Sequence, residues 1–406
     1  MIESSSSRDS CLLDSFDHQD EQFAAAFSVL ESAIADRAFP AASIAVTHAG
    51  KLIALKAFGD FTPECKVQVR TSTLFDLASL TKVIAATSMA MLLYERGLLD
   101  LEAAVAAVVP EFVADRAKDP RWRNVTLRML LSHSSGLPAY EKLFLKAKTR
   151  DELLQAAFTT PLAADPAARA VYSDIGFIIL GIALERLADE SLDRFCQREI
   201  FAPLGMTNTT FNPPAELREK IAPTADERES SSGADSHDHE RPGREISTPQ
   251  IQSGTNQQEL RSTFRNKIIQ GEVQDENGYI LGGVAGHAGL FSSALDVAQF
   301  AQCMLNGGKP VFRPETISLF TRRESAPAGT SRALGWDTPS SPSQSGKYFS
   351  EQSFGHLGYT GTSLWIDPVR RVSITLLTNR TWPDCANQAV KQVRPRFHDV
   401  IMEALR

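Results

Sequence analysis

The sequence predicts an α/β fold of the α+β kind. An antiparallel sheet is expected from strands at both ends of the chain, flanked by helices, with a mostly helical lobe between them. Two observations predict this. Residues 43–58 and 362–378 carry strand-like runs with turn signals, and the intervening residues carry helical periodicity, with no internal repeat.

In chain order, residues 1–20 are polar and acidic and are expected to be disordered. They lack the basic start and apolar core of a signal peptide. That points to the cytoplasm, or to the periplasm if the true N-terminus was trimmed. Residues 21–37 read as an amphipathic helix. Ser43–His48 and Lys51–Phe58 read as a hairpin turning at Ala49-Gly50. A helix headed by Ser79 follows, apolar on nearly all sides from Val83 to Leu93, hence central, with Gly97 as its stop. Residues 173–188 form one helix, and Ser191 caps another. Residues 226–257 hold three clearly apolar residues, Ala234, Ile246 and Ile251, too few for a core, and are expected to be a disordered insertion.

A Gly-rich run then leads to Ser293, whose spacing to Asp296 resembles a capping box. The helix behind it has Val297, Phe300, Ala301, Met304 and Leu305 on one face and ends at Gly307-Gly308. After a polar loop near 337–352, strands at 362–366 and 372–378 and a helix over 386–405 complete the chain. The expected organisation is one domain over 21–405 with two lobes. The α/β lobe takes about 21–75 and 285–405, the helical lobe about 76–284.

Composition excludes some functions. The chain has 406 residues, 43% hydrophobic, with formal net charge −7, so nothing invites nucleic acid. No window is apolar enough to span a membrane. The five scattered cysteines show no metal-ligand spacing and read as reduced structural thiols. His237 and His239 superficially suggest a metal site, but they fall in the insertion without a third ligand, so no metal and no cofactor is expected. Oligomeric state is not legible.

Three short patterns carry chemistry. In Ser79-Leu80-Thr81-Lys82 a hydroxyl and an amine lie one helical turn apart. Serine needs a nearby base, and the helix N-terminus and an apolar setting would both lower the lysine pKa. Chance gives roughly one such pattern per chain of this length, so it is weak alone. Tyr172-Ser173-Asp174 opens the helix 173–188 and offers a phenol. His356-Leu357-Gly358-Tyr359 leads into a strand, where Gly358 would let a ligand approach the backbone and the Tyr359 N–H could donate to an oxyanion.

In this order the three patterns resemble the motif set of the serine β-lactamase and penicillin-binding-protein superfamily. The runs VTLRMLLSHSSGLP (125–138), YSDIGFIILG (172–181), GEVQDENGYILGGVAGHAGLFSS (271–293) and FGHLGYTGTSLWIDP (354–368) are similar to its class C-like branch. That branch holds class C β-lactamases, D-alanyl-D-alanine carboxypeptidases, D-aminopeptidases and family VIII esterases. The resemblance implies a β-lactamase/transpeptidase-like fold and a metal-free serine hydrolase. Ser79 would be the acylated nucleophile, Lys82 its base or proton partner, and Tyr172 a sharer of the base role that later activates water. His356 would replace the third-motif lysine, and the Ser79 and Tyr359 N–H groups would form the oxyanion hole. Which of Lys82 and Tyr172 is the base stays open.

Asp174 stands where β-lactamases carry Asn, and it could pair with Lys82. A carboxylate accepts but cannot donate, so Asp174 and His356 both argue against an efficient β-lactamase. The expected partner is a small ester or a D-amino-acid peptide or amide. The alternatives are a penicillin- or peptide-recognising protein with little turnover, and a weak β-lactamase. His133 reads as a structural loop residue, and His287 as a brace near the cleft.

Overall fold

The structure, a computed structural model, describes residues 13–15, 17–113, 119–228 and 264–406. The expected sheet is present and draws on both ends of the chain. Its elements are β1 (Leu13–Asp14), α1 (Ala24–Ala35), β2 (Ala41–His48) and β3 (Lys51–Gly59) from the N-terminal part. The small strand β4 (Phe75–Asp76), helices α2 (Ser88–Glu95) and α3 (Asp174–Ala188), strands β5 (Thr210–Phe211) and β6 (Leu290–Ser292), and helix α4 (Ala294–Leu305) follow. Strands β7 (Phe354–Leu357), β8 (Ser363–Asp367) and β9 (Val372–Thr378) and helix α5 (Val390–Ala404) close the chain.

The sheet order is β1-β3-β2-β9-β8-β7, antiparallel except for β1 along β3. The β2–β3 turn is tight because Ala49 and Gly50 both take positive φ (51° and 86°), the geometry that matches strand twist. Val46 pairs with Ile374, and Ile44 with Leu376, so one apolar row runs across the central strands. Helices α1 and α5 cover that row with Phe27, Leu30, Phe397 and Ile401. The opposite face of β2 and β9 carries small side chains, Ser43, Thr47, Ser373 and Thr375, all buried. They let α4 lie close, and the Thr47 and Ser373 hydroxyls bond each other at 2.6 Å. The helices of the middle share a second core, in which Val83, Ile84, Met89, Phe177 and Ile179 are fully buried.

Three expectations need correction. Disorder over 1–20 does not hold near its end. Leu13–Asp14 pairs with Lys51–Leu52, and Gln19–Gln22 is a helical turn whose Gln19 Oε1 accepts the Leu55 N–H. The open edge of β3 offers unpaired backbone groups, and the passing chain takes them. The helix behind Ser79 is not regular either. A 3₁₀ turn at Ala78–Leu80 passes into wide π turns over Lys82–Thr87 before α2 begins. Third, His356 lies within a strand, β7, rather than before one. The insertion expected over 226–257 falls outside the described residues from 229 onward, as do His237 and His239. Its first residue, Asp226, pairs with Ile268. Among the described residues, no helix is long and apolar enough to cross a membrane.

Candidate active site

Ser79, Lys82, Tyr172, Asp174 and His287 converge at one end of a cavity of about 580 Å³, to which His356, Gly358 and Tyr359 also contribute. Four segments build this end. The first is the turn into Ser79. Leu77 N–H bonds Leu290 O at 2.9 Å, fixing the turn to β6. Ala78 then takes φ +47°, a left-handed conformation disfavoured for alanine by about 1–2 kcal/mol. The Lys82 Nζ is reached one turn on, 2.9 Å from Ser79 Oγ.

The second segment is the start of α3. Ser173 caps it, accepting from the Gly176 N–H at 3.0 Å and donating to Pro138 O at 2.7 Å. His133 Nδ1 accepts the Ser173 N–H at 3.0 Å, and its ring lies between Tyr172 and Phe177. Burial first, then Arg332 and Lys82, hold His133 well below its usual pKa, so it stays a neutral acceptor. The loop histidine thus fixes Tyr172 in place. The Tyr172 hydroxyl donates to Ser79 Oγ at 2.7 Å.

The third segment is the Gly-rich run. The His287 carbonyl accepts from Lys82 Nζ at 3.0 Å. Its ring Nε2 meets Asp275 Oδ1 at 2.9 Å, so it both lines and braces the cleft. Gly286 makes this approach possible, because a Cβ there would lie 2.2 Å from Phe177 O on α3. Gly286→Ala is therefore expected to destabilise the fold by about 1–3 kcal/mol through overpacking, read as a lower midpoint in urea.

The fourth segment runs from β7 into β8. The Thr360 and Thr362 hydroxyls donate to the Asp76 and Leu77 carbonyls at 2.8 and 2.9 Å, tying this loop to the Ser79 turn. Gly358 has to be glycine, since a Cβ would sit 1.9 Å from Thr362 Oγ1 and 2.5 Å from Leu77 O. Tyr359 is 45% exposed at the mouth, and the Arg380 guanidinium lies 4.4 Å over its ring.

The electrostatics reverse one expectation. Lys82 is fully buried, and burial alone would lower its pKa. The Asp174 carboxylate at 2.6 Å, with the tyrosine beside it, outweighs that and raises Lys82 above its ordinary 10.5. The sequence offers the helix N-terminus and burial, both lowering, while the partner sits 92 residues away. Burial first, then Asp174, push the Tyr172 phenol up to about 12. At neutral pH the resting site is therefore an ammonium and a phenol, both bonded to Ser79. Burial first, then Lys82 and Arg332, hold His356 well below its usual pKa. His356 is a neutral ring, with Nδ1 at 2.8 Å from Leu357 O, and brings no charge where the family's lysine would.

Several residues here carried no signal in the sequence. Asp275 both accepts the Gly278 N–H and holds His287. Arg332 lies 5.5 Å over the Tyr172 ring and 3.6 Å from Asp337. Arg380, Lys391 and Arg394 line the cavity, as do the acidic Asp174, Asp275, Glu276 and Asp337. Arg394 is buried, bonded to Gln344 and to Gly361 O, and burial with Arg380 nearby brings it down to about 10.

Fold and cleft belong to a serine hydrolase of the β-lactamase and transpeptidase class. A family model described as Beta-lactamase matches residues 26–393, and the chain belongs to that family. A relative from Escherichia coli (strain K12), provisionally named a D-alanyl-D-alanine carboxypeptidase, is 32% identical over 372 residues, covering 85% of this chain and 79% of its own. The fold is shared with EstCE1, a hydrolase with promiscuous acyltransferase activity (TM-score 0.70, 21% identity, covering 95% of this chain and 99% of that one). It is shared too with a class C beta lactamase from Rhodobacter sphaeroides (TM-score 0.65, 20% identity, covering 94% and 99%).

Proposed function

We propose that the enzyme works through an acyl-enzyme at Ser79, on esters or D-amino-acid peptides and amides. One observation carries this: Ser79 Oγ lies within hydrogen-bond reach of both Lys82 Nζ and Tyr172 Oη, facing a cavity of substrate size. The Lys82–Tyr172 pair acts as one titrating unit. Once it has lost a proton, it takes the Ser79 proton as Oγ attacks the substrate carbonyl. The Ser79 and Tyr359 N–H groups stabilise the oxyanion. The pair returns the proton to the leaving oxygen or nitrogen, and the carbonyl–leaving-group bond breaks. Water, deprotonated by the same pair, then attacks the ester, and Ser79 leaves with the proton.

The basic residues Arg380, Lys391 and Arg394 among the cavity lining offer partners to a substrate carboxylate, such as a peptide ending in a D-amino acid carries. The name of the Escherichia coli relative supports this choice, and the fold shared with EstCE1 is compatible with ester turnover. Turnover of p-nitrophenyl acetate, a D-Ala-D-Ala peptide, a D-amino-acid amide and a chromogenic cephalosporin tests it. Multiple turnover of the first two, with slow cephalosporin hydrolysis, is expected. Product that stops at one equivalent for every substrate would make the protein a recognition module instead.

A further inference from the structure

Asp76 takes no part in the chemistry above, yet it touches three of the segments that surround Ser79. It ends β4, only 1% exposed. Its Oδ1 accepts the Ala78 N–H at 2.8 Å and its Oδ2 the Gln274 N–H at 2.6 Å. Its carbonyl accepts the Thr360 hydroxyl at 2.8 Å. The donors belong, in turn, to the strained turn into the nucleophile, the wall that carries Asp275 and Glu276, and the loop that carries Tyr359.

We propose that Asp76 is a positioning residue for acyl transfer: by accepting from Ala78 and Gln274 at once, its carboxylate holds the left-handed turn that aims Ser79 and locks that turn to the cleft wall. The inference rests on Ser79 being the nucleophile. The choice of side chain follows from donor counting. Two backbone N–H groups need two acceptor oxygens, and an amide supplies one acceptor and one donor.

Asp76 gains little for stability in return. Burial pushes its carboxyl up to about 6, with Asp275 raising it further and the two N–H bonds and Arg265 pulling it down. A carboxyl raised in the folded state favours folding most below its ordinary 3.8 and loses that contribution as pH rises through about 6. At neutral pH the fold therefore holds a buried carboxylate at some expense. Asp76→Asn removes that expense while losing one acceptor, so stability and activity should separate.

The test is a cycle of wild type, Asp76→Asn, Ala78→Gly and the double variant. It is read with p-nitrophenyl acetate, with fluorophosphonate labelling, and by thermal melting. The expected result for Asp76→Asn is a kcat lower by about 30- to 100-fold, with KM within about threefold and Tm within a few degrees. Labelling should slow in parallel. Glycine takes the left-handed turn unaided, so Ala78→Gly in the Asp76→Asn background should recover about fivefold or more, a coupling that a general structural role would not produce. An Asp76→Asn kcat within about threefold of wild type, or additive losses in the cycle, would overturn the proposal. So would failure of both Asp76 variants to fold by circular dichroism, because Asp76 would then be a folding residue. Wild type that itself does not label at Ser79 would instead refute the nucleophile assignment on which this inference rests.

Discussion

Replacing Lys82 with alanine is expected to lower kcat by about 10²–10⁴-fold, the range for losing a positioned acid–base group. The loss should fall on kcat more than KM, because Lys82 lies beneath Ser79, fully buried, and is not among the residues lining the cavity. Its ammonium has three acceptors, Ser79 Oγ, Asp174 Oδ1 and the His287 carbonyl, and all three lose their donor together. Asp174 is then left without its cation. Its side chain is 17% exposed, so water partly replaces Lys82, and the stability loss should sit near the lower end of the range for a broken buried pair, about 3 kcal/mol. Steady-state kinetics and urea unfolding on the same preparation read both effects. A kcat within about tenfold of wild type would show that Tyr172 acts as base without Lys82.

Asp174→Asn is expected to move the pH profile rather than abolish activity. Asp174 raises Lys82 by favouring its ammonium, and it raises Tyr172 by disfavouring its phenolate. Both effects keep the proton on the pair that must lose one before Ser79 can be activated. Activity in the wild type should therefore rise with pH across the neutral range and fall on acidification. The neutral amide removes the negative charge, so the acid limb of kcat/KM should shift toward acid by about one unit or more. Stability should move the other way. A lysine raised in the folded state contributes its stabilisation fully below its ordinary 10.5, and that contribution is lost only as pH rises through the higher folded value. The variant should lose that contribution throughout the neutral range, read as a lower Tm at pH 7. An unshifted acid limb would mean that Asp174 does not set the protonation of the pair.

These two residues also show what the sequence could and could not reveal. Local spacing placed Ser79 and Lys82 on one face of a turn, and that survives even though the helix opens into π turns, because the 3₁₀ turn still brings Nζ to 2.9 Å. The terminal strands were legible because Ile44, Val46, Ile374 and Leu376 alternate with smaller residues, as one apolar face of a sheet requires. Strand β7 was not, because Gly355 falls within its four residues and Gly358 directly follows them, and the glycines read as loop. The sign of the Lys82 shift was illegible for another reason. It depends on how far Asp174 approaches, and no periodicity encodes a contact across 92 residues. Asp76 was hidden similarly, since its carboxylate partners are backbone N–H groups of any sequence, and Asp275 because it bonds a backbone N–H and a histidine twelve residues on.

The central claim is that Ser79 is the nucleophile, and intact-protein mass spectrometry after a fluorophosphonate probe tests it most directly. Wild type should gain the mass of one adduct, and Ser79→Ala, folded by circular dichroism, should gain none. Equal labelling of the two proteins would contradict the account.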